Sequence, residues 1–455
     1  MSIKFLPVGT THEIGDASYL LSLNGTTVLL DAGLHPRHDG IKSIPDYSAV
    51  RDHEVDAITV SHCHLDHLGA LPTAHSYFPQ ASVLMSEASA ALAPAMLHHT
   101  ASVMKRQHRE GAAVPLYGHD EIELISNLFQ GVKPETDFHV FNLKKWETGL
   151  SVRFYDAGHI LGASGILFKS HAGTVFYTGD TSAQNQEILP GAVYPEGRID
   201  VLIMETTLGA DPTAEEKTRG VEEHRFAKSI SKVIDQQGSV LIPAFSLGRT
   251  QEMLAMLHRL RDQSHIPDVD IYSAGFGEVV TDLYDHTARY TRRCDPDLRL
   301  RELDIRPLPP GDVRRGPHLR RPSIILVSSG MMAAHTMSYK LAEVMLSDPR
   351  HGIFFVGYID PDMPGYHVRT ARRGQTLKLG PESPEISVQC QIKKFHFSAH
   401  SHRGHLLDIV EKLRPRQVIL VHGERGASGW MRETIKQHFP NTDIHIGEKG
   451  VEIEY

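Results

Sequence analysis

The run His62-Cys63-His64-Leu65-Asp66-His67 places three imidazoles and one carboxylate within six residues, directly after the apolar stretch Val55-Asp56-Ala57-Ile58-Thr59-Val60. Nitrogen and carboxylate donors at that density, without paired thiolates, suit zinc or, less selectively, manganese or iron. In an extended segment side chains alternate with period two, so His62, His64 and Asp66 would share one face and His67 would fall on the other. One short loop can then serve two metals, and open coordination positions would make the site catalytic instead of structural. The competing reading is a histidine-rich surface loop, in a chain that carries 30 histidines. Cys63, between two ligand histidines, is read as filling space.

Other apolar runs also stop at an acid or a histidine. Thr26 to Leu30 ends at Asp31-Ala32-Gly33, Val152 to Tyr155 runs into Asp156-Ala157-Gly158-His159, and Thr174 to Tyr177 reaches Gly179-Asp180. Val201 to Met204 meets Glu205, Phe395-His396-Phe397 leads to Ser398-Ala399-His400, and Val418 to Val421 stops at His422-Gly423-Glu424. Any one such ending is common in turns. Together they matter, because open α/β sheets gather ligands at the carboxyl ends of their strands, so distant residues can meet at one edge.

Between Leu208 and about Gln391 the pattern changes. Ser239 to Phe245 reads as a strand, Ser246 to Glu252 as a turn, and Met253 to Leu260 as a helix. Ser323 to Val327 repeats the arrangement, entering Ser328-Ser329-Gly330-Met331-Met332 and a helix through Leu346, and Ile353 to Gly357 adds a buried strand. This predicts a compact parallel α/β unit. Ligand-type strand ends flank it on both sides in sequence, so it is read as an insertion into the metal-binding domain, with substrate in the cleft between them.

At 455 residues the chain is too long for one core, and 40% hydrophobic with 22% charged residues is ordinary for a globular protein. The stretch Met1-Ser2-Ile3-Lys4-Phe5-Leu6-Pro7 lacks the apolar core of a signal peptide, and no apolar run is long enough to span a membrane. The three cysteines, Cys63, Cys294 and Cys390, have no CxxC spacing, which fits a reducing compartment, and the cytoplasm is the expected location. A net charge of −8 excludes general attraction to nucleic acid. Local attraction would fall to the arginine-rich segment Arg289 to Arg321, which is read either as a backbone-phosphate surface or as a solvated face.

In order along the chain, Asp31, the His62 to His67 run, His159 and Asp180 resemble the four hydrolase motifs of the metallo-β-lactamase superfamily. Glu205, His400 and His422 resemble the three further motifs of its β-CASP nucleases. Ile242 to Arg249, Ser328 to Met332, Phe397 to His400 and Leu420 to Glu424 are similar to family segments as well. The resemblance is greatest to stand-alone bacterial and archaeal RNases similar to the mRNA 3′-end-processing endonuclease. It implies an α/β fold, a metallo-β-lactamase αββα sandwich with an inserted β-CASP α/β domain. Residues 1–208 and 392–455 would form the first and 209–391 the second. No KH-like domain is expected ahead of the first motif, and no extension after the last.

The resemblance further implies two zinc ions, with manganese or iron as substitutes. One would be held by His62, His64 and His159, the other by Asp66, His67 and His422, with Asp180 between them. Asp31 would accept an imidazole N–H and orient a ligand. The implied chemistry is phosphodiester hydrolysis of single-stranded RNA by a hydroxide shared between the metals, endonucleolytic or 5′-exonucleolytic. His400 would protonate the leaving oxygen and Glu205 would keep it protonated and aimed, with Asp66 counted among the catalytic groups. A histidine at position 422 is similar to the RNA-processing members of the family. Substrate phosphates would be received by Ser246, Arg249, Ser328, Ser329 and Gly330, at helix N-termini with outward N–H groups, unless the serines serve only as ordinary caps. Single-stranded RNA and a second copy of the chain are the expected partners, with no membrane. The alternatives are a DNA nuclease, a small ester or lactam hydrolase, and a catalytically silent RNA-binding scaffold.

Two stretches depart from the family pattern. His402 stands where an acid often follows the histidine motif, and Ala333-Ala334-His335 replaces glycines after Met332. The first puts the orientation of His400 on Glu205 alone, and the second puts the shape of the phosphate-receiving turn in doubt. His98, His99, His108, His405, and with them His402 and His335, are read as surface or packing residues.

Overall fold

The structure is a computed structural model that describes residues 2–141 and 148–455. Met1, part of the N-terminal stretch read above, lies outside the described residues. The chain divides into two compact units, one of residues 1–185, 189–215 and 399–455, the other of 186–188 and 216–398.

Two seven-stranded sheets face each other in the first unit. One has Thr26–Leu30, Ala57–Val60, Ser82–Ser86 and Phe129–Val132 as parallel neighbours, extended by the antiparallel strands Tyr19–Leu23 and Ile3–Pro7. The other runs Asp443–Ile446, Gln417–Val421, Val201–Glu205 and Gly173–Tyr177 in parallel, then turns antiparallel through Ser164–Ser170 and Ser151–Asp156. Alternation decides what lies between the sheets and what lies behind them. Phe5, Tyr19, Val28 and Leu30 from the first sheet meet Val152, Phe154, Phe168, Val175, Tyr177, Ile203 and Val421 from the second in one core. The intervening residues Phe176, Leu202, Met204, Val418 and Leu420 face outward onto Leu406, Ile409 and Val410 of helix Arg403–Leu413 and Met431 and Ile435 of helix Arg425–His438. Helix Glu87–Arg109 packs on the strands Ser82–Ser86 and Phe129–Val132 of the other sheet. The layers are therefore helix, sheet, sheet, helix.

In the second unit a six-stranded, wholly parallel sheet has the order Arg306–Pro307, Asp270–Ala274, Ser323–Val327, Val240–Pro243, Gly352–Phe355, Gln391–Lys394. Its central strands are apolar on both faces, as burial between helices requires. Val240, Ile242, Ile324 and Leu326 pack against helices Arg219–Asp235 and Arg249–Asp262, while Leu241, Ile325, Val327 and Ile353 pack against helix Met337–Met345. Two expectations need correction. The segment after Val327 is a turn, and its helix starts only at Met337. The run Phe395-His396-Phe397 lies beyond its strand, which ends at Lys394.

Much of the arginine-rich segment is neutralised within this unit. Arg301 pairs with Asp282 and Glu278, Arg306 with Asp270, and Arg314 with Asp312, while Arg293 is buried against the Tyr284 ring. Arg289, Arg315, Arg320 and Arg321 are exposed.

Glu222 ties helix Arg219–Asp235 to the end of the sheet. Its carboxylate is 2% exposed and accepts the His396 N–H at 2.8 Å and Arg225 Nη2 at 2.6 Å. Burial opposes its charge, but Arg225 and the His396 N–H outweigh burial and hold its pKa below 4.5. A depressed pKa of this kind adds stability above the unfolded value that is lost as pH falls through the folded one. Glu222→Ala is expected to cost about 1 kcal/mol at neutral pH by leaving the partly buried His396 N–H without its acceptor. Urea unfolding should show the deficit shrinking in acid, and an unchanged midpoint at pH 7 would refute the role.

Candidate active site

The chemistry-bearing residues sit at the carboxyl ends of strands from both sheets of the first unit, and not along one sheet edge as the sequence suggested. Asp31 and His62 follow Thr26–Leu30 and Ala57–Val60; His159, Asp180, Glu205 and His422 follow or end Ser151–Asp156, Gly173–Tyr177, Val201–Glu205 and Gln417–Val421. The extended reading of the histidine run holds only to His64. Leu65–Leu68 forms a single helical turn capped at His64, so Asp66 and His67 leave the turn in different directions from those an extended strand would give.

Three groups of ligand atoms result, the third being Asp180, Glu205 and His422, and the other two correspond to the expected sets. Those of His62, His64, His159 and Asp180 lie within 4.8 Å of one another, and so do those of Asp66, His67 and His422. Asp180 faces both sets. Its Oδ2 is 3.7 Å from His62 Nε2 and 3.6 Å from His159 Nε2, while Oδ1 is 3.5 Å from His67 Nε2 and 3.3 Å from His422 Nδ1. His62 Nε2 and Asp180 Oδ1 are buried without a hydrogen bond. Buried polar atoms are ordinarily satisfied, so unspent lone pairs converging from histidine and carboxylate fit a cation. The donors are histidine nitrogens and carboxylate oxygens, a set that can hold a metal ion.

Local backbone serves this convergence. Asp31 and His422 are non-glycine residues with φ of +58° and +50°, a conformation that costs roughly 1–3 kcal/mol and persists where surrounding contacts enforce it. After His422 the chain runs so close to its neighbour that a Cβ on Gly423 would stand 2.3 Å from Thr206 Oγ1.

The field within the site is uneven. Burial, with neighbouring imidazoles, pushes His62 and His159 well below the usual histidine range. Burial acts the same way on His67, but Asp180, Asp31 and Asp66 outweigh it and hold that ring up to about 10. His159 Nδ1 lies 2.8 Å from the Ala399 carbonyl, which can only accept, so the lone pair of the neutral ring sits on Nε2, facing Asp180.

His400 stands beside the first set, its ring centroid 4.5 Å from that of His159. Its Nδ1 is 3.0 Å from Glu205 Oε2, and Glu205 Oε1 accepts the Thr181 N–H at 2.6 Å. Burial disfavours the imidazolium, yet the Glu205 charge and hydrogen bond prevail and raise His400 to about 9. The same pairing lowers Glu205 against its own burial. His402 caps helix Arg403–Leu413 by accepting the His405 N–H, and its ring lies tilted by 31° against that of His405.

Asp31 lies fully buried behind the ligands, its Oδ2 2.7 Å from His67 Nδ1. It also accepts from Ser61 N and Oγ and from Tyr177 Oη. Ser61 and Tyr177 were missed in the sequence. Ser61 adjoins His62, but the approach of Tyr177 to Asp31 depends on the two sheets facing each other.

Ser246, Arg249, Ser328, Ser329 and Gly330 belong to the second unit, at the ends of two adjacent strands. A Cβ on Gly330 would be 2.9 Å from the Phe245 nitrogen, so the two turns touch. Their N–H groups are not all free, which corrects the sequence reading: that of Gly248 goes to Gln251 Oε1 and that of Met331 to Ser329 Oγ. Arg249 is 8% exposed, burial lowers its pKa to about 10, and its Nη1 has no hydrogen bond.

Fold and site together define a two-layered β-sheet hydrolase scaffold with a histidine-carboxylate centre suited to metal. Family models match in three stretches: Metallo-beta-lactamase superfamily over residues 15–219, Beta-Casp domain over 250–368, and Zn-dependent metallo-hydrolase RNA specificity domain over 385–446. The chain belongs to the β-CASP branch of the metallo-β-lactamase superfamily. It is 25% identical to cleavage and polyadenylation specificity factor subunit 3 of Dictyostelium discoideum, over 97% of this chain and 56% of that protein. It is 27% identical to cleavage and polyadenylation specificity factor 73 of Drosophila melanogaster, over 97% and 63%, and to endoribonuclease YSH1 of Saccharomyces cerevisiae, over 98% and 58%. The chain thus spans 56 to 63% of the length of these relatives. A solved structure of a protein of unknown function from Enterococcus faecalis V583 shares the fold, with a TM-score of 0.58 at 12% identity over 100% of both chains. Among the described residues, no helix is long and apolar enough to cross a membrane.

Proposed function

We propose that the chain is a metal-dependent phosphodiesterase that hydrolyses single-stranded RNA. The observation that carries this reading is Asp180, whose two oxygens face two separate ligand sets. His62, His64 and His159 would hold one divalent cation and Asp66, His67 and His422 the other, with zinc as the native metal and manganese or iron as substitutes. When bound, such a pair lowers the pKa of water toward neutrality and offsets charge on the scissile phosphate. The chain's own residues supply the rest. His400, held as imidazolium by Glu205, donates a proton to the leaving oxygen. Asp31 fixes the ring of His67. Arg249, with an unspent Nη1, is retained as a backbone-phosphate contact beside the turns that carry Ser246, Ser328, Ser329 and Gly330. The RNA preference is supported by the match to the RNA specificity model, which contains His400 and His422, and by the endoribonuclease named among the relatives.

Purified protein incubated with end-labelled single-stranded RNA and DNA is expected to cleave RNA, to stop on addition of chelator, and to resume with zinc or manganese. Equal cleavage of DNA would refute the substrate preference. No cleavage by protein carrying two metals would make it a silent binding subunit.

A further inference from the structure

We infer that Ser61 is a positioning residue whose single hydroxyl fixes, through hydrogen bonds, which ring nitrogen faces the centre in one histidine of each ligand set. The inference rests on the two-set reading above and concerns residues which that reading leaves without a role. Ser61 Oγ lies 2.7 Å from Asp31 Oδ2 and 3.1 Å from His62 Nδ1. A hydroxyl offers one proton and accepts with its lone pairs, whereas a carboxylate only accepts. The Ser61 proton therefore goes to Asp31. His62 Nδ1 can then be satisfied in one way, by carrying its own proton and donating it to Ser61 Oγ. The lone pair of neutral His62 is left on Nε2, the buried atom without a hydrogen bond that faces Asp180.

The other arm runs through Asp31. Four donors converge on that buried carboxylate: Ser61 N at 2.6 Å on Oδ1, and Ser61 Oγ at 2.7 Å, Tyr177 Oη at 2.6 Å and His67 Nδ1 at 2.7 Å on Oδ2. With the carboxylate saturated by donors, His67 must place a proton on Nδ1, which leaves Nε2 toward Asp66, Asp180 and His422. Tyr177, 0 to 1% exposed like its neighbour Tyr19, holds Asp31 from the opposite sheet. Ser61 thus touches both sets, His62 at 3.1 Å and His67 at 3.5 Å and through Asp31, whereas Tyr177 touches only the His67 arm. Groups that orient metal ligands from behind typically carry a 10- to 100-fold effect on affinity.

The arms can be separated. In metal-free protein labelled with 15N-histidine, the wild-type ring of His62 should report an Nδ1–H tautomer, and that of His67 a proton on Nδ1 shared with Asp31. Ser61→Ala should disturb both rings and Tyr177→Phe only His67. In chelator competition, Ser61→Ala should weaken both zinc equivalents about 10- to 100-fold and Tyr177→Phe one, while Ser61→Thr, which keeps the hydroxyl, should recover binding. Wild-type tautomers and unchanged affinities in Ser61→Ala would overturn the inference. So would Ser61→Thr behaving like Ser61→Ala with an equal fall in melting temperature, the signature of packing alone. Fewer than two equivalents bound by wild type would defeat the proposed function instead, and the tautomers of the metal-free protein would still decide the role of Ser61.

Discussion

Asp180→Asn is expected to lose at least one of two bound cations and to reduce RNA cleavage by ~10³-fold or more. The amide keeps the side-chain shape but replaces an anionic oxygen with an NH₂ that can only donate, so whichever set it faces meets a proton where a lone pair stood. Metal assistance is worth several kcal/mol of charge stabilisation, and each ~1.4 kcal/mol is tenfold in rate. Because Oδ1 and Oδ2 face different sets, neither rotamer of the amide spares both. Elemental analysis of the purified variant, beside its cleavage rate, checks the expectation. A variant that retained both cations and wild-type turnover would remove Asp180 from the centre of the mechanism.

His400→Ala is expected to lower turnover by roughly 100- to 10,000-fold, the range of a positioned general acid, while leaving metal content intact. His400 belongs to neither three-histidine nor aspartate-histidine set; its Nδ1 is committed to Glu205, and the ring stands beside His159. A phosphodiester with a nitrophenolate leaving group separates proton donation from metal binding, since that leaving group departs without a proton. The variant should hydrolyse it nearly as fast as wild type while failing on RNA. Equal loss on both substrates, or loss of metal, would assign His400 to ligand support.

The site was legible in sequence to the extent that its residues are punctuated by strand ends. Asp31, His62, Asp180, Glu205 and His422 each follow a short, near-continuous apolar run, and a parallel strand buried on both faces announces itself by just such a run. Where local preference and tertiary context part, the reading failed. Leu65–Leu68 forms a helical turn with His64 at its N-cap, and nothing in His62 to His67 alone distinguishes that turn from continued strand. The contact of Tyr177 with Asp31 joins residues 146 positions apart and follows from sheet stacking, which no window of sequence contains. Counting arginines misjudged the charged segment for a related reason. The carboxylates that neutralise Arg301 and Arg306, Asp282, Glu278 and Asp270, come from outside the segment.

The strand Gln417–Val421 pairs in parallel with Val201–Glu205, and Thr207 meets His422 across 215 positions of chain. A polypeptide leaving the ribosome therefore carries His62, His64, His159 and Asp180 long before it acquires His400 and His422. Between the synthesis of Asp180 and that of His400 it holds six of the seven assigned ligands, His62, His64, Asp66, His67, His159 and Asp180, but neither His422 nor His400. The ligand constellation therefore closes only when the strand Gln417–Val421 has emerged and paired with Val201–Glu205.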